Sequence, residues 1–229
     1  LTTPKGVSKG FMTADMLVVT DMQGNKISGE RDPSSELPMH LAVYERRSDI
    51  SAVVHAHPPV ATGFAVVGIP LDRAVLAEVV TTLGSIPIAD YGTPSTQELA
   101  DAVQKYIETH DGLLLANHGA LTVAGELFAA YYKMETIEHF ARISLVARML
   151  GGERLLSRQE VMRLQDLRGS YGIAAPAPIC TDENSAGSEN DPNCQVLQAP
   201  SSSGERLVTN ASDSSPLTQP LGKDEEIRL

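Results

Sequence analysis

From Met16 to Arg168, short β-type runs alternate with helix-type runs, and this alternation restricts the chain to a layered α/β sheet more firmly than any other feature. Met16–Asp21 (MLVVTD) reads as a strand and Gln23–Lys26 as its turn. Ser34–Arg47 reads as a helix with Leu37, Leu41 and Tyr44 on one stripe. Ile50–His57 (ISAVVHAH) is a strand. Pro58-Pro59 then opens a short apolar helix over Val60–Val67, since proline suits a first turn. Ile86–Asp90 is another short strand, and Ser95-Thr96-Gln97-Glu98 has the form of a capping box that opens a helix to about Thr109. Gly112–Asn117 (GLLLAN) is a buried-type strand, Glu126–Leu150 a long helix and Ser157–Arg168 a shorter one. The chain contains no internal repeat.

The composition changes after Tyr171. Residues 1–173 hold all six histidines and every Phe and Tyr. Residues 174–229 hold no aromatic residue, six of the fourteen prolines, both cysteines, and nine acidic against three basic residues. Such a segment cannot bury enough apolar surface to offset its ordering entropy. We therefore read 1–173 as one α/β domain and 174–221 as a disordered linker. In Gly222–Leu229 the acidic Asp224, Glu225 and Glu226 suit a first helical turn, and Ile227 and Leu229 begin an apolar stripe.

A net charge of −11 argues against nucleic acid or an anionic membrane as the main partner. No apolar run reaches the roughly 18 residues of a membrane span, and no signal peptide opens the chain. Cys180 and Cys194 do not make a disulfide framework, so a cytoplasmic, reducing compartment is expected.

The chemistry concentrates in the histidines. His55 and His57 stand at i and i+2 of a strand, on one face, at its C-terminal end, where α/β sheets place ligands. Two such imidazoles reach one metal ion, although a His-x-His by itself equally describes one buried and one solvated ring. Asn117-His118-Gly119 supplies a third imidazole at the end of a second apolar strand, with glycine where backbone passes close to a site. Three neutral nitrogen ligands with an open position describe a catalytic zinc-type site better than a structural one. In Asp32-Pro33-Ser34-Ser35-Glu36 the serines sit at a helix N-terminus, a natural anion cradle, and Glu36 lies one residue inside. Taken locally, Ser34 as a simple cap and Glu36 as a dipole partner explain that segment better. His40 reads as structural or surface, His110 as a cation at a helix C-terminus, and His139 as a packing residue.

PSSE, HAH and NHG in this order and spacing resemble the class II aldolase/adducin family, nearest its zinc-dependent L-fuculose-1-phosphate aldolase group. The similarity runs from Thr2-Thr3-Pro4-Lys5-Gly6 to about Tyr171-Gly172. It implies a three-layer α/β/α fold with a mainly antiparallel or mixed central sheet. It also implies a homotetramer with interfacial active sites and one divalent ion, usually Zn2+, on His55, His57 and His118. Glu36 would be the remaining ligand and the acid/base. Lys5, Gly6, Ser34 and Ser35 would bind the substrate phosphate, and Tyr171 would match a C-terminal tyrosine that reaches an active site. The implied reaction is retro-aldol cleavage of a ketose 1-phosphate to dihydroxyacetone phosphate and an aldehyde such as lactaldehyde. Other members act as sugar-phosphate lyases, dehydratases or 4-epimerases on the same site, or as non-catalytic adducin-like modules. Glu36, where the epimerases carry Asp, favours the aldolase.

Three departures stand out. The family's N-terminal segment, with a first helix and an Asn-containing glycine loop, has no counterpart, so the N-terminal part of the domain is expected to be missing. Ala74 falls where a tyrosine proton donor is usual, and Pro94 falls where an aromatic residue follows Tyr91. The tail resembles the extensions that address enzymes to a bacterial microcompartment shell.

Overall fold

Leu113, Leu114 and Leu115 are completely buried side by side, which is possible only if both faces of their strand are covered. The computed structural model describes residues 1–170 and 173 and shows how this is done. Strand β5 (Gly112–Leu115) pairs antiparallel with β6 (Gly119–Ala124), which pairs antiparallel with β3 (Ala52–Ala56). On its other side β5 pairs parallel with β4 (Ile88–Ala89), giving a mixed sheet ordered β3-β6-β5-β4. Leu113, Leu115, Leu121 and Val123 point to one face. There they meet Met39 and Val43 of α1 (Leu37–Arg46) and Leu99 and Val103 of α4 (Gln97–Ile107). Leu114 and Ala120 point to the other face, against Ala61 and Phe64 of α2 (Pro59–Val66) and Ile137 and Phe140 of α5 (Leu127–Met149). Each fully buried leucine contributes roughly 1.5–3 kcal/mol. The expected three-layer α/β/α arrangement with a mixed sheet is what the chain forms.

Two further helices and a hairpin complete the body. α3 (Ala77–Thr82) and α6 (Arg158–Ser170) pack through Ala74, Val80, Val161 and Leu164. A small hairpin of β1 (Val19–Thr20) and β2 (Lys26–Ser28) stands apart from the main sheet.

Several elements differ from the sequence reading. Met16–Asp21 is not one strand. Val18 spends its backbone bonds on Thr2, and the register to β2 shifts between Val19 and Thr20, so only two residues stay in the ladder. Helix α1 begins at Leu37, which leaves Glu36 at the N-cap and not inside the helix. Ser95 does not cap α4: its φ is 67°, Thr96 is the N-cap, and Glu98 reaches back to the Thr93 N–H at 3.3 Å. α3 and β6 were not anticipated. β6 separates β3 from β5, so the two histidine-bearing segments meet through a hairpin and not through neighbouring strands. The linker (174–221) and the C-terminal helix start (222–229) lie outside the described residues. No described helix is long and apolar enough to cross a membrane.

Candidate metal centre

His55 is the next-to-last residue of β3, and His57 follows just past its end, immediately before Pro58. Strand alternation sends both rings the same way. His118 arrives from the β5–β6 hairpin. Asn117 adopts φ 54°, a left-handed conformation that Asn tolerates, and the His118 N–H donates to the Leu115 carbonyl at 3.0 Å. Gly119 then lets the hairpin lie directly against β3. A Cβ there would stand 2.5 Å from both the Ala56 carbonyl oxygen and His57 Cδ2. Glu36 enters from the third side, set by a turn in which the Leu37 N–H donates to the Ser34 carbonyl at 3.1 Å and the Glu36 N–H to Ser34 Oγ at 3.3 Å.

The four side chains converge. His55 Nε2 lies 3.1 Å from His57 Nε2 and 2.9 Å from Glu36 Oε2, and His118 Nε2 lies 3.0 Å from Glu36 Oε1. The three rings are mutually 4.8–5.0 Å apart by centroid. His55 Nδ1–H donates to the Ala120 carbonyl at 2.9 Å, which fixes the tautomer and leaves the Nε2 lone pair facing the cluster. Tetrahedral ligation at about 2.0–2.1 Å would space ligand atoms roughly 3.3–3.4 Å apart, and the three imidazole ligand atoms lie within 4.8 Å of one another, close enough to share one ion. Two imidazole lone pairs aimed at each other repel unless a proton or a cation lies between them. The donor set therefore fits a divalent ion. Contact with the His118 ring first and the His55 ring second holds the Glu36 carboxyl well below the usual carboxylate range, so it stays ionised. Desolvation is the main cause that lowers the His57 pKa, keeping that ring in its ligating, neutral form.

The loops assigned to phosphate adjoin this cluster. An antiparallel bridge joins Pro4 to Pro33, with the Lys5 N–H on the Asp32 carbonyl at 3.0 Å and the Ser34 N–H on the Thr3 carbonyl at 2.9 Å. Lys5 and Gly6 thus run beside Ser34 and Ser35. Gly6 takes φ 72°, a turn open to glycine.

The class II aldolase and adducin N-terminal domain family matches residues 1–145. The chain belongs to the class II aldolase and adducin family. Its similarity to an L-fuculose phosphate aldolase of Methanococcus maripaludis is 36% identity over 144 residues, 63% of this chain and 77% of that one. To a 5-deoxy-D-ribulose 1-phosphate aldolase of Bacillus thuringiensis serovar kurstaki it is 35% over 169 residues, covering 74% and 79%. The solved structure of an L-fuculose 1-phosphate aldolase superposes with a TM-score of 0.67 at 36% identity, over 72% of this chain and 77% of that one. These likenesses make the chain a class II aldolase, an enzyme of a metal-dependent class.

Elsewhere in this class II aldolase, sequence reasoning did less well. His110 does sit at the C-terminal end of α4, but not as a cation. It is fully buried between Ser85 Oγ at 3.3 Å and the Tyr106 carbonyl at 3.2 Å, and burial lowers its pKa. His139 is exposed on α5 and packs no core. Ala74 is buried against α6. Tyr171 lies outside the described residues. Lys9, which the sequence reading passed over, donates to the His55 carbonyl at 3.2 Å. Nothing in the local sequence marks Lys9 as a neighbour of His55.

His40 is largely buried one turn after Glu36, and desolvation lowers its pKa to about 4. The folded state then refuses a proton that the unfolded chain accepts below its ordinary value near 6.5. Stability is therefore lost as pH falls from about 6.5 toward 4, by roughly 3 kcal/mol for this group. In metal-free protein, His40→Gln should flatten that part of the acid limb in urea melts taken between those pH values. An unchanged limb would show that His40 is neutral-indifferent.

Proposed function

We propose that this chain cleaves a ketose 1-phosphate of the L-fuculose 1-phosphate type to dihydroxyacetone phosphate and an aldehyde such as lactaldehyde. The observation that supports this reading is the meeting of His55, His57, His118 and Glu36 beside the loops of Lys5-Gly6 and Ser34-Ser35. A divalent ion, Zn2+ in this proposal, held by the three histidines would supply Lewis-acid stabilisation of the enediolate formed as the carbon–carbon bond breaks.

The residues do the rest. Glu36 moves a proton to or from the carbon that becomes C3 of dihydroxyacetone phosphate. Bonded to His118 and His55 it is a weak base; moved off them, its pKa climbs toward the ordinary carboxylate value and it can exchange protons. Ser34, Ser35 and Gly6 offer hydroxyls and amides to the phosphate, and Lys5 adds a cation. Binding at that end positions carbons several bonds away. Tyr171 at an active site and a homotetramer with interfacial sites belong to the same proposal. The sugar phosphates named for the relatives are 1-phosphorylated ketoses that share the dihydroxyacetone phosphate half. Their aldehyde halves differ.

The test follows from that shared half. Purified protein is given L-fuculose 1-phosphate and, separately, 5-deoxyribulose 1-phosphate, with dihydroxyacetone phosphate read through a coupled reductase. Release of dihydroxyacetone phosphate is expected from both, faster from the former. Consumption of either sugar phosphate with no dihydroxyacetone phosphate would instead indicate another lyase, a dehydratase or a 4-epimerase on the same site.

A further inference from the structure

Helix α2 starts two residues after His57 and has no cap of its own. Its N-cap residue is Pro58, which makes no side-chain capping bond, and Pro59 has no N–H to offer. The Thr62 N–H donates to the Pro58 carbonyl at 2.8 Å. The two remaining first-turn donors, Val60 and Ala61, are taken by a carboxylate from another helix. Glu138, in the middle of α5, accepts from the Val60 N–H at 3.2 and 3.1 Å and from the Ala61 N–H at 2.9 Å. A side chain 78 and 77 positions away in sequence therefore does what a local Ser or Asp usually does.

The other end of α2 reaches the other ligand-bearing turn. The Ala65 carbonyl accepts the Asn117 N–H at 3.3 Å, one residue before His118. α2 is thus a strut between the turn that carries His57 and the turn that carries His118, and Glu138 pins one end of it to α5. Electrostatics adds a second effect. The N-terminus of a helix carries a partial positive charge, and here that charge sits beside three imidazoles that must accept a cation. The Glu138 carboxylate offsets it.

We propose that Glu138 is a positioning residue for the metal centre, holding His57 and His118 at ligating separation by capping α2 across the core. This rests on the reading of His55, His57 and His118 as metal ligands, and the experiment separates the two. Zn2+ affinity is measured by competition with a chromophoric chelator on the full chain, for the unaltered protein, Glu138→Ala, Glu138→Gln and His118→Ala. Co2+ visible spectra report the ligand geometry, and melting of the metal-free proteins reports the fold.

Glu138→Ala is expected to bind Zn2+ about tenfold more weakly, in the range that lost outer hydrogen bonds cost a metal site, with a changed Co2+ spectrum. Glu138→Gln keeps the shape and one acceptor oxygen, so a smaller loss of about threefold is expected, as a partial rescue. A folded Glu138→Ala with unaltered affinity and spectrum would overturn the proposal. If Glu138→Ala does not fold, unaltered affinity in Glu138→Gln overturns it and weakened affinity sustains it. Strong binding by the unaltered protein that is lost in His118→Ala upholds the metal-centre reading whatever Glu138 does. Absence of binding in the unaltered protein would overturn both.

Discussion

In the His118→Ala variant, stoichiometric metal should be lost and aldol cleavage should fall on the order of 10³-fold. A Lewis-acid ion contributes several kcal/mol of transition-state stabilisation, and each 1.36 kcal/mol is about tenfold in rate. His118 Nε2 faces Glu36 Oε1 at 3.0 Å, so its removal leaves two imidazoles and a carboxylate that has lost one of its two imidazole neighbours. The fold should survive. His118 Nδ1 is buried without a hydrogen-bond partner among the described residues, a cost that the substitution relieves. The lost Glu36 contact opposes that relief, so melting of metal-free protein is expected to change little, while metal analysis and turnover collapse together. Full turnover in His118→Ala would refute the assigned role of the histidines.

How much of this could be read in the sequence depends on how local each determinant is. The period-two placement of His55 and His57 is a property of one strand, and ISAVVHAH carries it without help. GLLL declared a strand covered on both faces, and the sheet supplies both covers. The family was legible because PSSE, HAH and NHG each keep their local form. What escaped was non-local. β6 begins at the glycine that follows His118, and the Asn-His-Gly turn flanked by two apolar runs was the hairpin signal that went unused. The strand order that inserts β6 between β3 and β5 is decided by pairing energetics that no single segment reports. The adjacency of Lys5-Gly6 and Ser34-Ser35 depends on a bridge from Pro4 to Pro33, and the cap on α2 depends on Glu138 from α5. His139 looked like a packing residue because it lies inside a long helix, yet it is exposed, between Glu138 and the buried Phe140.

Gly119→Ala should damage the site and the fold by separable amounts. The new methyl would sit 2.5 Å from the Ala56 carbonyl oxygen, 2.5 Å from His57 Cδ2 and 3.3 Å from His55 Cε1. The carbonyl is backbone of a paired strand and cannot step aside. The His57 ring can yield only by leaving its present position against His55 and His118. Relief must therefore come from lifting β6 off β3, at the roughly 1–3 kcal/mol typical of overpacking, and from expelling His57. The fold term should lower the melting temperature of the metal-free protein by about 3–10 °C, since 1 kcal/mol corresponds to roughly 2–4 °C at this size. The site term should weaken Zn2+ binding at least about 100-fold, the upper range seen when a site's supporting shell is lost. Gly63→Ala is the control. Gly63 lies in α2, its Cβ would meet nothing within 4 Å, and a helix-interior glycine costs roughly 0.5–1 kcal/mol relative to alanine. That substitution should raise the melting temperature and leave Zn2+ affinity alone. A Gly119→Ala protein that keeps its affinity would mean that the hairpin does not press on His57, and the close approach of β6 to β3 would no longer explain why glycine follows His118.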